Sequence, residues 1–251
     1  MTRDPTVTDR IRSVLVMLGT IGTIAFNYVA AGNRFGPAAW SITDTYPTVF
    51  SPAEYAYSIW ALIYLGLLAF SIYQLLPANL ARFRTVRTLY IFACVLNCGW
   101  LFFLLNERVG ISLVVILILE GILIFLIREF RFTKNLTEYW ILNAPFGLYA
   151  GWVAVLTAVT FFAYFISSGI FSSLNLLGII FVMILAVIAV IIRWRLNDYL
   201  YPFAIAWGLT AIAVRQSGNT SIVVTAAMGV IICLVTALSF VMSLPFREPN
   251  P

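Results

Sequence analysis

Apolar residues in this chain come in long unbroken blocks, each closed by a short polar or basic stretch, rather than in the spaced stripes of a water-soluble helix. Eight blocks reach or approach the roughly 20 residues a helix needs to cross a hydrocarbon core. They run from Ile11 to Ala31, Tyr55 to Leu76, Leu89 to Leu105, Ile111 to Ile127, Tyr139 to Ile166, Leu174 to Ile192, Tyr199 to Val214 and Ser221 to Leu244. Backbone amides cannot go unpaired in lipid, and the alternation of a barrel strand is absent, so the blocks predict helices. The block from Tyr199 is the shortest. It carries Pro202 near its start, where the first helical turn has spare donors and tolerates proline. The expected fold is therefore all-α, a polytopic membrane bundle of about eight transmembrane helices.

Composition sharpens this. Of 251 residues 62% are hydrophobic and 10% charged, against about a quarter charged in a soluble domain, so a water-exposed globular surface is excluded. The chain has no histidine, which removes histidine-based catalysis and histidine-ligated metal sites, and no metal site is expected. Cys94, Cys98 and Cys233 sit inside apolar blocks, where cysteine behaves as a small hydrophobe and forms no disulfide framework. The net charge of +5 is too dispersed for a nucleic-acid partner.

Its use is in orientation. With an even number of spans and the N-terminus inside, the cytoplasmic side collects Arg3, Arg10, Arg12, Arg82, Arg84, Arg87, Arg128, Arg131, Lys134, Arg193, Arg195 and Arg247, leaving Arg34, Arg108 and Arg215 outside. That asymmetry places both termini in the cytoplasm. The basic runs at residues 82–87 and 128–134 are accounted for by orientation and by contact with lipid headgroups. Arginines precede the first block as in a signal peptide, but the block is too long for a signal core and stays a helix.

Connections are short except for Gly32 to Glu54, which holds Phe35, Trp40, Tyr46, Phe50 and prolines 37, 47 and 52. Rings of this kind favour the membrane interface, and a loop this long in a compact membrane protein is more often functional, so Trp40 and Pro52 are candidates for a lid. After it, Tyr57, Trp60 and Tyr64 fall at i, i+3 and i+7 on one helical face. Asn97 and Trp100 share a face of the third helix, as do Pro145, Tyr149 and Trp152 on the fifth. One such stripe would be packing alone. Three, each with a polar handle, point to a shared aromatic slot, because buried Trp and Tyr need partners for their polar atoms. Gly147 and Gly151 are spaced for close helix approach. Glu120 stands midway along the fourth helix, where an ionised carboxylate is costly, and it is either a functional intramembrane acid or a neutral, hydrogen-bonded one joining helices through Asn97 or Asn143.

These stripes resemble the TspO/MBR family, the translocator or tryptophan-rich sensory proteins. Pro52, Trp60 and Tyr64 match its second-helix pattern, with Ser51, Tyr55 and Tyr57 in place of proline, tryptophan and phenylalanine. Asn97, Trp100, Phe102 and Phe103 resemble its third-helix motif, although the phenylalanines come two residues early. Pro145, Phe146, Tyr149, Leu156 and Thr157 follow its fifth-helix stretch more loosely, with Trp152 able to replace the lost indole. The likeness covers Val14 to Phe165, which implies a five-helix TspO-like core over residues 1–166 and a three-helix C-terminal extension over 167–251. It also implies a pocket between helices for tetrapyrroles such as porphyrin, or other apolar ligands, capped by the loop after the first helix. Some members act in stress, light or oxygen regulation.

On that footing the expected function is an integral membrane ligand-binding or sensory protein of a bacterial cell membrane. The ligand-binding candidates are Tyr57, Trp60, Tyr64, Asn97, Trp100, Asn143, Tyr149 and Trp152. Asn27 adds a polar group, and Arg34 or Arg215 would meet porphyrin propionates. No cofactor is required, since a tetrapyrrole would be ligand rather than prosthetic group, and no residue is expected to be catalytic. Membrane lipids are the other partner, and the extension would occupy a dimerisation surface and leave a monomer. The rival is a small secondary transporter with Glu120 as coupling group, although no inverted repeat is evident. Light-driven oxidation of a bound porphyrin beside tryptophan ranks last, because no acid–base groups stand ready for it.

Overall fold

The computed structural model describes residues 6–32, 42–131, 133, 135–169 and 174–243, and every regular element among them is helical. Eight helices carry the fold: α1 (Val7–Ala31), α2 (Ile59–Tyr73), α3 (Arg84–Leu105), α4 (Val109–Phe130), α5 (Ala144–Ser167), α6 (Asn175–Leu196), α7 (Leu200–Arg215) and α8 (Thr220–Ser243). A 3₁₀ turn, Glu54–Ser58, leads into α2, and the turns Leu136–Glu138 and Tyr139–Asn143 lead into α5. With these turns included, all but α7 are long and apolar enough to cross a bilayer, and α7 is an apolar helix of 16 residues. The chain is an integral membrane protein.

Packing divides the helices into a ring and a layer. α1 lies against α2 and α3, α3 against α4, and both α4 and α2 against α5, which closes a ring of five. α7 packs on the outer side of α5, and α6 and α8 pack on α7. α5 serves both groups and is the most buried span. Its closest approach to α7 runs over Gly147 and Gly151. A methyl group at Gly147 would collide with the Asp198 carboxylate, and one at Gly151 with the Tyr201 carbonyl, so the spacing seen in the sequence serves this contact.

Polar side chains stitch the ring from within. The Thr20 hydroxyl meets those of Ser71 (2.6 Å) and Tyr90 (2.8 Å), and Asn27 Nδ2 donates to Asn97 Oδ1 (2.9 Å), tying α1 to α2 and α3. Such bonds contribute modestly, about 0.6 kcal/mol each, because the separated helices also find partners in the membrane. At the end bearing the N-terminus, Thr6 and Asp9 cap α1 reciprocally, and Arg84 reaches Asp9 Oδ2 at 2.7 Å. Arg82 grips Glu138 with two hydrogen bonds (2.6 and 3.0 Å). Arg87 is fully buried and donates to Gln74 Oε1 (2.7 Å) and to the Asn79 carbonyl (3.1 Å), which fixes the turn between α2 and α3. The run at residues 82–87 is thus built into the fold, a role beyond the headgroup contact expected from its charge.

The described half of the long connection is a strap held by the outer layer. Phe50 is fully buried, stacked on Phe162 of α5 (centroids 5.1 Å apart) and edge-on to Phe181 of α6 (6.3 Å). The Ala53 amide donates to the Ala211 carbonyl (3.0 Å), Trp207 Nε1 to the Ala56 carbonyl (2.9 Å), and Gln216 Nε2 to the Thr48 carbonyl (2.8 Å). Arg215 pairs with Asp44. The lid candidate Pro52 is buried within this strap, whereas Trp40 and Arg34 lie outside the described residues.

Candidate functional site

The C-terminal part of α1, the start of α2, the end of α3 and the second half of α5 face one another around a crevice of about 310 Å³. Trp60 and Tyr64 enter it from α2, Tyr57 from the 3₁₀ turn that leads into α2, and Trp100 from α3. Trp60 stacks on Tyr64 (centroids 5.3 Å, planes 18° apart). The Trp100 indole crosses to α5, where its Nε1 donates to Thr160 Oγ1 (3.2 Å), and its carbonyl accepts from Ser112 Oγ (3.0 Å). The indole bond holds that ring as a wall, and the Ser112 bond ties its backbone to α4. No charged side chain lines the crevice among the described residues.

The remaining candidates divide into a supporting layer and a distant group. Tyr149 packs edge-on behind Trp60 (5.7 Å), and Trp152 behind Tyr57 (5.7 Å); both are buried and hold the lining rings in place. Asn97 is buried and reaches the site through Asn27, which does line it. Asn143 stands apart, on the π-helical turn Tyr139–Asn143 ahead of Pro145, where the missing proline amide leaves the backbone free to widen. Glu120 is also elsewhere. Tyr201 of α7 donates to its Oε1 (3.1 Å), so its partner is neither Asn97 nor Asn143.

The residues that sequence reasoning missed are those whose faces carry no aromatic pattern. Ile24, Tyr28 and Ala31 bring α1 in as a full wall, and Leu156, Val159 and Thr160 form the α5 wall. Thr157, aligned with the motif position, bonds its own helix at Val153 (2.8 Å); the crevice hydroxyl is Thr160, three residues on. Of the cations proposed for ligand carboxylates, Arg215 already carries Asp44 as counter-charge.

Aromatic rings converging from α2 and α3 on one uncharged slot, inside a five-helix ring, are the arrangement the sequence motifs imply. A protein-family model described as TSPO-like protein matches residues 13–240. This chain belongs to the TSPO-like family. The match runs well past Phe165 and takes in α6, α7 and most of α8, so the likeness to TSPO-like proteins extends beyond the ring to the outer layer. No curated protein and no solved structure matches the chain.

Proposed function

We propose that this TSPO-like protein binds a flat, largely apolar molecule of the porphyrin class in the α1–α2–α3–α5 crevice, and that it senses or handles such molecules in the membrane. The observation carrying this is the convergence of Trp60, Tyr64, Tyr57 and Trp100 on one uncharged space of about 310 Å³. Stacked and edge-on rings offer faces to a planar ligand, and Asn27 and Thr160 offer hydrogen-bonding groups at its rim. The volume stands at the lower end of that of small-molecule sites, so a tetrapyrrole would enter by its edge.

The excess of arginines at the end of the bundle bearing the N-terminus favours a cytoplasmic location for both termini, in a bacterial cell membrane. The layer over α5 favours a monomer. No enzyme activity and no cofactor are assigned. The transporter alternative draws no support from the crevice, because Glu120 does not line it.

The test is titration of protoporphyrin into the purified protein, followed by tryptophan quenching. Wild type should quench saturably. Ala61→Leu, which fills the crevice from an exposed position on α2, should weaken binding by about tenfold or more, which is about 1.4 kcal/mol. Non-saturable quenching, or quenching that is equal in the two proteins, refutes the proposal.

A further inference from the structure

Behind α5, away from the crevice, lies a second set of inward polar groups. Glu120 is at the middle of α4, about 15 Å of helix from either end. Tyr201, the second residue of α7, donates to its Oε1 (3.1 Å), while Oε2 is buried and meets no partner among the described residues. Three residues before Tyr201, Asp198 is wholly buried against Gly147, its Oδ1 accepting the amides of Leu200 (2.9 Å) and Tyr201 (2.8 Å). Its Oδ2 also lacks a partner among the described residues. The residue before it, Asn197, is exposed, with a left-handed backbone (φ 57°) that ends α6 and turns the chain inward.

The short α7 makes this possible. From Tyr201 to Arg215 only about 21 Å of helix remains, shorter than a bilayer core of about 30 Å, and the α6–α7 connection tucks Asp198 wholly out of solvent. Polar groups are thus spaced from exposed Asn197 to Glu120: Asp198 holds Tyr201 by its backbone amide, and the Tyr201 phenol, a side-chain length further in, bonds Glu120. Beyond Glu120, toward the far face, Ile116 and Leu119 of α4, Val155 of α5, and Ile205, Leu209 and Ile212 of α7 are fully or almost fully buried and wholly apolar. Among the described residues the polar groups thus lie on one side of Glu120.

We propose that Glu120 is a mid-membrane proton-binding site, loaded from the N-terminal face through Asp198 and Tyr201. In the loading step, Tyr201 gives its phenolic proton to Glu120 and regains one from a water molecule bridging the phenol and the Asp198 carboxyl, which passes on the proton of Asp198, and Asp198 is reprotonated from the aqueous face. The phenol ends unchanged, Glu120 ends neutral, and one proton has left the aqueous phase. Arg193 of α6 and Tyr139 ahead of α5 face Asp198; Tyr201 faces Glu120, with Cys233 of α8 behind the phenol. Burial raises the Asp198 carboxyl to about 7, despite its two amide bonds and Arg193, so the entry group exchanges protons near neutrality. With a single aqueous opening the site registers the proton activity of one compartment and does not conduct protons across the membrane. It is independent of what occupies the crevice.

The experiment is infrared spectroscopy of the intact protein in liposomes, in water and after transfer to D₂O. In Asp198→Asn, where the other buried carboxyl contributes nothing, a protonated-carboxyl band should remain at neutral pH, and adding Glu120→Gln should remove it. The same band should persist in Tyr201→Phe and Asp198→Asn but exchange with deuterium on the order of tenfold more slowly or worse. Thermal unfolding of each variant confirms that it is folded. Absence of the band in Asp198→Asn, its survival when Glu120→Gln is added to that variant, or unchanged exchange in Tyr201→Phe or Asp198→Asn overturns the proposal.

Discussion

Between α1, α2, α3 and α5 the helices stand apart around aromatic rings, whereas α5 and α7 close on Gly147 and Gly151, beside two buried carboxylates, Asp198 and Glu120. The first region holds its shape because each lining ring is backed by another: Trp60 by Tyr149, Tyr57 by Trp152, and Trp100 by Thr160. The second holds its shape because the two glycines leave room only for the Asp198 carboxylate at Gly147 and for the Tyr201 backbone at Gly151. One bundle thus keeps an open apolar space and a closed polar seam on opposite sides of α5. An apolar space can stay open for a ligand because lipid and ligand solvate it alike. A buried carboxylate must instead be neutralised or reach water.

The comparison predicts unequal responses to added bulk. Gly151→Leu drives a side chain into the Tyr201 carbonyl and should cost more than about 3 kcal/mol, read as loss of folded protein in detergent. Ala61→Leu adds similar volume to the crevice and should leave the thermal midpoint nearly unchanged. Equal losses would mean that the crevice is packed as tightly as the seam.

The next effect is one of pH. Asp198 holds its proton more tightly in the folded protein, up to about 7, than in the unfolded chain, near the ordinary value of about 3.9. Its contribution to stability is complete below about pH 4 and is lost as pH rises through about 7. The thermal midpoint should therefore fall between about pH 5 and pH 8, and Asp198→Asn should flatten that slope. A slope that survives the substitution would assign the titration to another group. Smaller still, Thr160→Val leaves the Trp100 indole N–H without its acceptor, at a cost of about 1 kcal/mol, with a shift in tryptophan emission as the direct readout.

How far the sequence revealed all this depended on the range of the interactions involved. Hydropathy located all eight helices, including α7, because burial of apolar blocks is a local property. The slot on α2 was legible because Tyr57, Trp60 and Tyr64 share a face under helical spacing alone. Which rings line the space and which stand behind them was not, because Tyr149 and Trp152 differ from Trp60 and Trp100 only in the neighbours that tertiary packing gives them. Glu120 was visible as an anomaly, but its partner Tyr201 lies 81 residues away on a helix whose docking to α5 no local pattern declares. Likewise the long connection suggested a lid by its rings and prolines, while the docking of Phe50 among α5 and α6 depends on the position of the outer layer.

The central claim is that rings from α2 and α3 jointly bind a planar ligand, and the direct measurement is protoporphyrin affinity, read from porphyrin absorbance, in Trp60→Ala, Trp100→Ala and Trp194→Ala. Trp194 is exposed on α6, remote from the crevice lining, and serves as the control. The account predicts a loss of about tenfold or more for each of the first two and wild-type affinity for the third. Equal affinity in all three, or a loss confined to Trp194→Ala, would contradict it.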